Sequence, residues 1–342
     1  MHGGDIYRNK VNIDFSVNVN PLGIPQRVLD EIGKELDKLS CYPDLLCEEL
    51  KKKISIKYSV ESKNIIVGNG ASELFMAIMH GLRPKNALIL EPSFLGYKSV
   101  CDAVDCNVKQ YFLKENQDFL LTEDVLDYID DSIDIMFLTN PNNPTGRCIE
   151  DKLLKKIINK ANEIGVTIIV DECFIDFTNM KSIANYVFSN NYDNVIIINA
   201  FTKIFSLPGL RLGYGICSYD LAYIINKHLP EWNVSYLAQR AGVKALEEYE
   251  YLAYAVDYVK CERERLVDAL ESLKIKVYPS EANFVLIKSK YDLYDILLKQ
   301  GILIRDCSNY SNLEKGYYRI AVKTNVDNNY LINALKKSVP CD

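Results

Sequence analysis

The sequence predicts an α/β protein, with a large domain built on a mostly parallel sheet flanked by helices and a smaller α/β domain at the C-terminal end. Three observations carry this prediction. Short continuous apolar runs alternate with amphipathic stretches along most of the chain, as buried parallel strands alternate with the helices that join them. The 342 residues exceed what one simple core accommodates and suit one large and one small domain. The composition, 48% hydrophobic and 25% charged, is that of a soluble globular chain without internal repeats or low-complexity linkers.

Taken in order, residues 1–40 read as an N-terminal arm that contributes to the small domain. Within it, Phe15-Ser16-Val17-Asn18-Val19-Asn20-Pro21-Leu22-Gly23 is extended and rich in turn residues, and a helix follows Pro25. Residues 41–235 form the large domain. Asn64–Gly68 reads as a strand end, followed by a turn and a helix over Ser72–Met79. Ala87–Leu90, Ile135–Leu138, Val166–Val170 and Val195–Ile198 are apolar runs that fit strands buried on both faces. Residues 236–342 supply an interdomain helix and the small domain. The pattern is helical from Tyr236 to Leu273, with Glu247, Glu248, Glu262 and Arg263 expected to face solvent. Strands are expected at Lys276–Tyr278, Phe284–Ile287 and Tyr318–Val322, then a closing helix over Asp327–Lys337 with Asp327 near its positive end.

Composition narrows the function classes. A formal net charge of −6 argues against nucleic acid and anionic membranes as general partners. No apolar run approaches the roughly 20 residues that span a bilayer. Met1–Arg8 shows no apolar stretch of a secretion signal, so the expected location is the cytoplasm. The ten cysteines form no CxxC pair, and His2, His80 and His228 do not stand at metal-ligand spacing from them. They read as reduced small hydrophobes, and no metal is expected.

Four segments lie where an α/β sheet places ligands, just past strand carboxyl ends. Gly68-Asn69-Gly70-Ala71-Ser72-Glu73 puts small residues before a helix, where backbone N–H groups can hold a phosphate; it also suits a tight turn with Ser72 as N-cap. Asn140-Pro141-Asn142-Asn143-Pro144-Thr145-Gly146 is a rigid turn whose asparagines either face a ligand or hold the turn. Asp171-Glu172 follows a buried strand: one carboxylate pairs with a cationic ring nitrogen, or both are exposed. Lys203 and Arg211 flank Pro208-Gly209; a shielded lysine can lose its proton and form a Schiff base, and an arginine can clamp phosphate, while both also suit an ordinary surface.

In this order, across about 140 residues, the segments resemble fold-type I enzymes dependent on pyridoxal 5'-phosphate (PLP), the aspartate aminotransferase superfamily. The resemblance implies a PLP-dependent transferase fold and a role for each matching position. Lys203 matches the lysine that carries the cofactor, and Asp171 the partner of its ring nitrogen. Asn143 matches the partner of its 3-oxygen. Ala71, Ser72, Thr202 and Arg211 match its phosphate cup, and Phe94 or Tyr97 the group stacked on its face. Tyr42 matches a tyrosine that reaches the phosphate from a neighbouring subunit, which implies a homodimer with a shared active site. Two positions depart from the pattern. Phe174 stands where many relatives have a tyrosine on the 3-oxygen. Ala200 stands where a serine commonly donates to the phosphate.

Within the superfamily, the His2-Gly3-Gly4 start and Asp14-Phe15-Ser16-Val17-Asn18-Val19-Asn20-Pro21-Leu22-Gly23 resemble the threonine-phosphate decarboxylase family of cobalamin biosynthesis. Asp171–Phe177, Ile302–Tyr310 and Tyr317–Thr324 extend the resemblance almost end to end. It implies decarboxylation of L-threonine O-3-phosphate to (R)-1-amino-2-propanol O-2-phosphate. It also implies a pocket for a small phosphorylated amino acid in which Arg305 and Arg319 hold phosphate and carboxylate, in an order left open, beside Asn143. His2 and Asn20 would complete the phosphate site, and Lys323 stands where relatives often have a third arginine. The alternatives are the histidinol-phosphate aminotransferase family, which the chain also resembles, and a decarboxylase of serine phosphate.

Overall fold

The computed structural model describes residues 3–338. The chain opens with β1 (Ile13–Asp14) and a helix over Gln26–Lys34 that begins directly after Pro25. It then builds a seven-stranded sheet from β2 (Ile65–Gly68), β3 (Asn86–Glu91), β4 (Asn107–Phe112), β5 (Ile135–Thr139), β6 (Thr167–Asp171), β7 (Val195–Ala200) and β8 (Gly213–Ile216). The strand order is β2-β8-β7-β6-β5-β3-β4. Strands β3 to β7 are parallel, while β8 runs antiparallel to both β7 and β2.

The four apolar runs are buried along both faces because alternate residues feed two cores. Leu88, Met136, Ile168 and Ile197 pack on one side of the sheet, and Ile89, Phe137, Ile169 and Ile196 on the other. Two strands of this seven-stranded sheet escape the sequence reading for physical reasons. β4 is an edge strand with half-exposed Lys109 and Gln110, so it lacks a continuous apolar run. β8 reads Gly-Tyr-Gly-Ile, the composition of a turn. Gly213 is required there, since a Cβ would stand 2.6 Å from the Ala71 nitrogen.

Five further strands follow: β9 (Lys276–Val277), β10 (Phe284–Lys288), β11 (Ile302–Leu303), β12 (Arg305–Asp306) and β13 (Tyr317–Ala321). Four of these form the antiparallel order β12-β13-β10-β9, while β11 pairs in parallel with β1. The arm is therefore stitched to the C-terminal region, and Phe15 is buried among Leu266, Val285, Ile320 and Leu331 of that region's core.

The helical stretch after Tyr236 is two helices, Tyr236–Ala245 and Tyr249–Ser272. Glu262 does not face solvent as expected. It is buried, pairs with Arg265 at 2.7 Å and accepts from the side-chain amides of Asn325 (2.9 Å) and Asn328 (2.8 Å). A buried carboxylate survives there because these donors satisfy it, and it ties the long helix to the closing helix Asn325–Ser338. Arg263 is half-buried and donates to the carbonyls of Glu281 and Ala282. Glu247, also half-buried, pairs with Lys53 and Lys244. The closing helix starts on a reciprocal cap: Thr324 Oγ1 accepts from the Asp327 N–H (3.2 Å) and donates to its carboxylate (2.7 Å). Among the described residues the cysteines are free, and no helix is long and apolar enough to cross a membrane.

Candidate active site

The ends of β5, β6 and β7 meet in one cavity of about 230 Å³. Register brings them together: Thr139 and Asp171, the last residues of β5 and β6, are directly paired, and Ala200 ends β7. All three line the cavity. An anion or ring placed there faces the carboxyl edge of a parallel sheet, the usual ligand position of such folds.

Of the acidic pair only Asp171 faces the cavity. It is buried, and its carboxylate accepts from the Tyr97 hydroxyl (2.6 Å) and the Cys173 N–H (2.9 Å). Glu172 points away into the protein and accepts from the Ile183 N–H at 2.9 Å. Its burial pushes the carboxyl up to about 7. Neither residue is exposed.

Lys203 lies on the short helix Phe201–Ile204 that leaves β7, with its Nζ 5.5 Å from the centre of the Phe174 ring. Burial, then the Arg319 guanidinium, and more weakly Arg211, push its amine down to about 8, against the pull of Cys173 and Asp171. A neutral amine at this place is within reach near neutral pH.

The NPNNPTG turn divides its work. Asn140 accepts from the Ile149 N–H, and Asn142 donates to Pro92 and Thr145, so both hold the turn. Asn143 alone lines the cavity, where its Oδ1 accepts from Arg319 Nη1 at 2.5 Å.

Ala71, Ser72, Thr202 and Arg211 line one end of the cavity. The helix Ala71–Leu82 begins at Ala71 with Gly70 as its cap residue, so Ser72 sits inside the first turn and is not the N-cap. Gly70 has φ +81°, and a Cβ there would stand 2.6 Å from Arg211 Nη2. Backbone N–H groups, a helix start and an exposed guanidinium thus surround a cradle that a side chain would fill, and a phosphate fits such a place. Phe94 lines the cavity. Tyr97 does not, which removes it as a stacking candidate: it is buried behind the wall against Phe137, bonded to Asp171 and Thr139.

The opposite wall comes from the second sheet and the arm. Arg305 on β12 and Arg319 on β13 are direct cross-strand partners, are 6% and 7% exposed, and both reach the cavity. Arg319 donates to Asn143 and to the Ser16 carbonyl (2.7 Å) and lies over the Phe284 ring. Arg305 donates to the Asp306 carbonyl (2.7 Å) and Asn309 Oδ1 (2.8 Å) and lies over the Tyr310 ring. Phe174 packs edge-on against Phe284 and lines the same wall.

Asn20, expected at the phosphate site, does not line the cavity. It is buried and consumed by structure: its side chain donates to the Ile204 carbonyl and accepts from the Leu22 N–H, and its N–H donates to the Lys203 carbonyl. The Asn20-Pro21-Leu22 turn was the available signal, since an asparagine that bonds its own backbone two residues on is occupied. The cavity instead takes Asn18, whose buried Oδ1 has no partner, together with Gly3, Ser16 and Val17. Tyr310 and Cys173 were also not singled out. Tyr42 is 78% exposed, packs at a tilt against Trp232 with ring centres 4.7 Å apart and does not reach the cavity of its own chain. Lys323 is half-buried near Asp14 and lies outside the cavity. His2 lies outside the described residues.

Comparison with known proteins finds relatives along almost the whole chain. The profile of the aminotransferase class I and II family matches residues 10–336. The threonine-phosphate decarboxylase of Salmonella typhimurium is 33% identical over 95% of this chain and 90% of its own length. The adenosylcobalamin biosynthesis bifunctional protein CobDQ of Leptospira interrogans is 35% identical over 97% of this chain, which spans 40% of that longer protein. The crystal structure of the histidinol-phosphate aminotransferase from Clostridium acetobutylicum superposes with a TM-score of 0.89 at 33% identity, covering 95% of this chain and 98% of that one. The chain therefore belongs to the class I and II aminotransferase family, with its fold-type I architecture and its cofactor, pyridoxal 5'-phosphate.

Proposed function

We propose that the protein decarboxylates L-threonine O-3-phosphate to (R)-1-amino-2-propanol O-2-phosphate, working as a homodimer. One observation carries this reading. Arg305 and Arg319 are buried side by side in the cavity, and the acceptors they have are neutral: two carbonyls and two asparagine oxygens. Buried cations without anions call for an anionic ligand, and two of them suit a small substrate with two anionic groups. Threonine phosphate carries a carboxylate and a phosphate. Histidinol phosphate carries one anionic group, and the 2-oxoglutarate of an aminotransferase carries two.

The residues fit the cofactor. Asp171 would hold the proton of its ring nitrogen, Asn143 its 3-oxygen, Phe94 one ring face, and Ala71, Ser72, Thr202 and Arg211 its phosphate, with Lys203 attached. When bound, PLP would supply a cationic conjugated ring that accepts the electrons of a bond broken at the substrate's α-carbon. The chain decides which bond that is. Two guanidiniums on adjacent strands would fix the two anionic ends of the substrate and so set which bond of its α-carbon is presented for cleavage. Lys203, with its amine near 8, can then deliver a proton to the α-carbon. Sheets and arm flank the site from opposite sides.

Tyr42, with Leu39, Leu45, Leu46 and Trp232, leaves large apolar groups exposed. A second copy covering them would bring Tyr42 to its neighbour's phosphate cup. Incubation of the PLP-loaded protein with L-threonine O-3-phosphate in D2O, without a keto acid, tests the reaction. The expected product keeps amine and phosphate, has lost CO2 and carries one deuterium on the former α-carbon. Unchanged threonine phosphate, with glutamate formed from histidinol phosphate and 2-oxoglutarate, contradicts it.

A further inference from the structure

A second cavity of about 320 Å³ adjoins the first. Gly3, Ser16 and Arg305 line both, so the partition between them is built from these three residues. Gly3 belongs to a strap that folds back onto the chain. Gly4 N–H donates to Ser16 Oγ (2.7 Å), which in turn donates to Asp14 (2.6 Å). Gly4 has φ +86° and lies so close to Val17 that a Cβ would meet its Cγ1 at 3.0 Å. A Cβ on Gly3 would collide with the Ser16 carbonyl oxygen, the same oxygen that receives Arg319 Nη2. Glycine at position 3 is thus what lets the strap seat without displacing the carbonyl that aims Arg319.

The chamber behind the partition has a different chemistry from the site. Tyr294, Leu303 and Ile304 give it apolar walls, and Asp306 gives it a carboxylate. Asp5 lines it as well and Arg305 borders it, so it suits an aromatic or cationic group better than a second phosphate. The two spaces joined would exceed twice the volume of the first.

We propose that the Gly3–Gly4 strap is a specificity-determining element: seated on Ser16, it divides a longer cleft, confines the site to short amino-acid phosphates and shuts out substrates with an aromatic tail such as histidinol phosphate. The inference rests on the cavity being the substrate site, as read above. Size exclusion of this kind is effective because a tail that enters a filled space must displace packed backbone, whereas a missing tail leaves only a small void.

The test compares PLP-loaded wild type, Gly3→Ala and a variant lacking residues 1–8. Dissociation constants for L-threonine O-3-phosphate and L-histidinol phosphate are read by stopped flow from the cofactor's visible absorbance, with thermal melts as a folding control. The variant without the strap should shift the ratio of the two constants toward histidinol phosphate by about tenfold or more, with Gly3→Ala shifting it less in the same direction. Gly3→Ala keeps the whole strap, so it separates loss of partition from loss of any contact that residues 1–2 make. An unchanged ratio in both variants overturns the proposal, including the case in which both affinities fall together. Tighter binding of histidinol phosphate by the wild type overturns the decarboxylase reading instead, whatever the variants do.

Discussion

The two walls of the cavity are built differently. The cofactor wall comes from strand ends of one sheet, where Asp171 and Ala200 end β6 and β7, Lys203 lies three residues beyond β7 and Asn143 four residues beyond β5. The substrate wall is assembled from remote pieces: Ser16 and Arg319, which touch, are 303 residues apart in the chain. The first wall is rigid because it continues a buried parallel sheet. The second depends on β1 pairing with β11 and on Phe15 filling the C-terminal core. On the function proposed above, chemistry common to the superfamily falls to the continuous wall, and discrimination among substrates to the assembled one.

The largest expected effect breaks the cofactor wall. Lys203→Ala should abolish the visible absorbance of the bound cofactor and lower turnover by on the order of 10³-fold or more, because the covalent attachment and the proton donor go together. Retained absorbance and turnover remove Lys203 from its role. On the opposite wall, Arg319→Gln should lower kcat/KM by about 10²-fold, since a buried anion left unpaired costs about 2–5 kcal/mol. An effect confined to thermal stability would make Arg319 structural.

The charge balance between the walls has its own signature. Arg319 and Arg211 add to burial in holding the Lys203 amine near 8, below the ordinary 10.5 of a lysine. Only the neutral amine captures the cofactor. The rate of PLP uptake by the apoprotein should therefore rise with pH and level off above about 8. A rise that continues toward pH 10 contradicts the depressed value.

Smaller effects sharpen the contrast. Tyr97→Phe removes one hydrogen bond to the Asp171 carboxylate, worth about 1.5–3 kcal/mol for a charged acceptor, and should lower kcat about tenfold with an altered cofactor spectrum. A change in melting temperature with an unchanged spectrum would make Tyr97 packing alone. The least disruptive comparison separates two asparagines. Asn20→Ala should destabilise the fold by about 1–3 kcal/mol with little change in KM, whereas Asn18→Ala should raise KM with a melting temperature near wild type. The reverse pattern would restore Asn20 to the substrate site.

These contrasts also explain what could be read in advance. Motifs on the cofactor wall are contiguous, and strand ends project them to one edge, so Asp171, Asn143 and Lys203 were legible from spacing and resemblance. Phe94 and Tyr97 could not be separated that way, because which ring faces the cavity depends on the Phe75, Phe137 and Thr139 contacts behind it. On the substrate wall the two arginines were legible by resemblance, while Gly3, Ser16, Asn18 and Tyr310 were not. Their positions follow from long-range pairing that no local period encodes. Glu262 was misread because its donors, Asn325 and Asn328, lie on another helix. β8 was missed because close approach to Ala71 demands glycine where a strand usually shows β-branched residues.

The most direct test of the account is a paired count of CO2 released and glutamate formed by the PLP-loaded protein. L-threonine O-3-phosphate and L-histidinol phosphate are each supplied with and without 2-oxoglutarate. The account predicts stoichiometric CO2 from threonine phosphate, independent of the keto acid, and no glutamate from either substrate. Glutamate from histidinol phosphate without CO2 from threonine phosphate would contradict it: the cofactor wall would stand, and the reading of the substrate wall would fall.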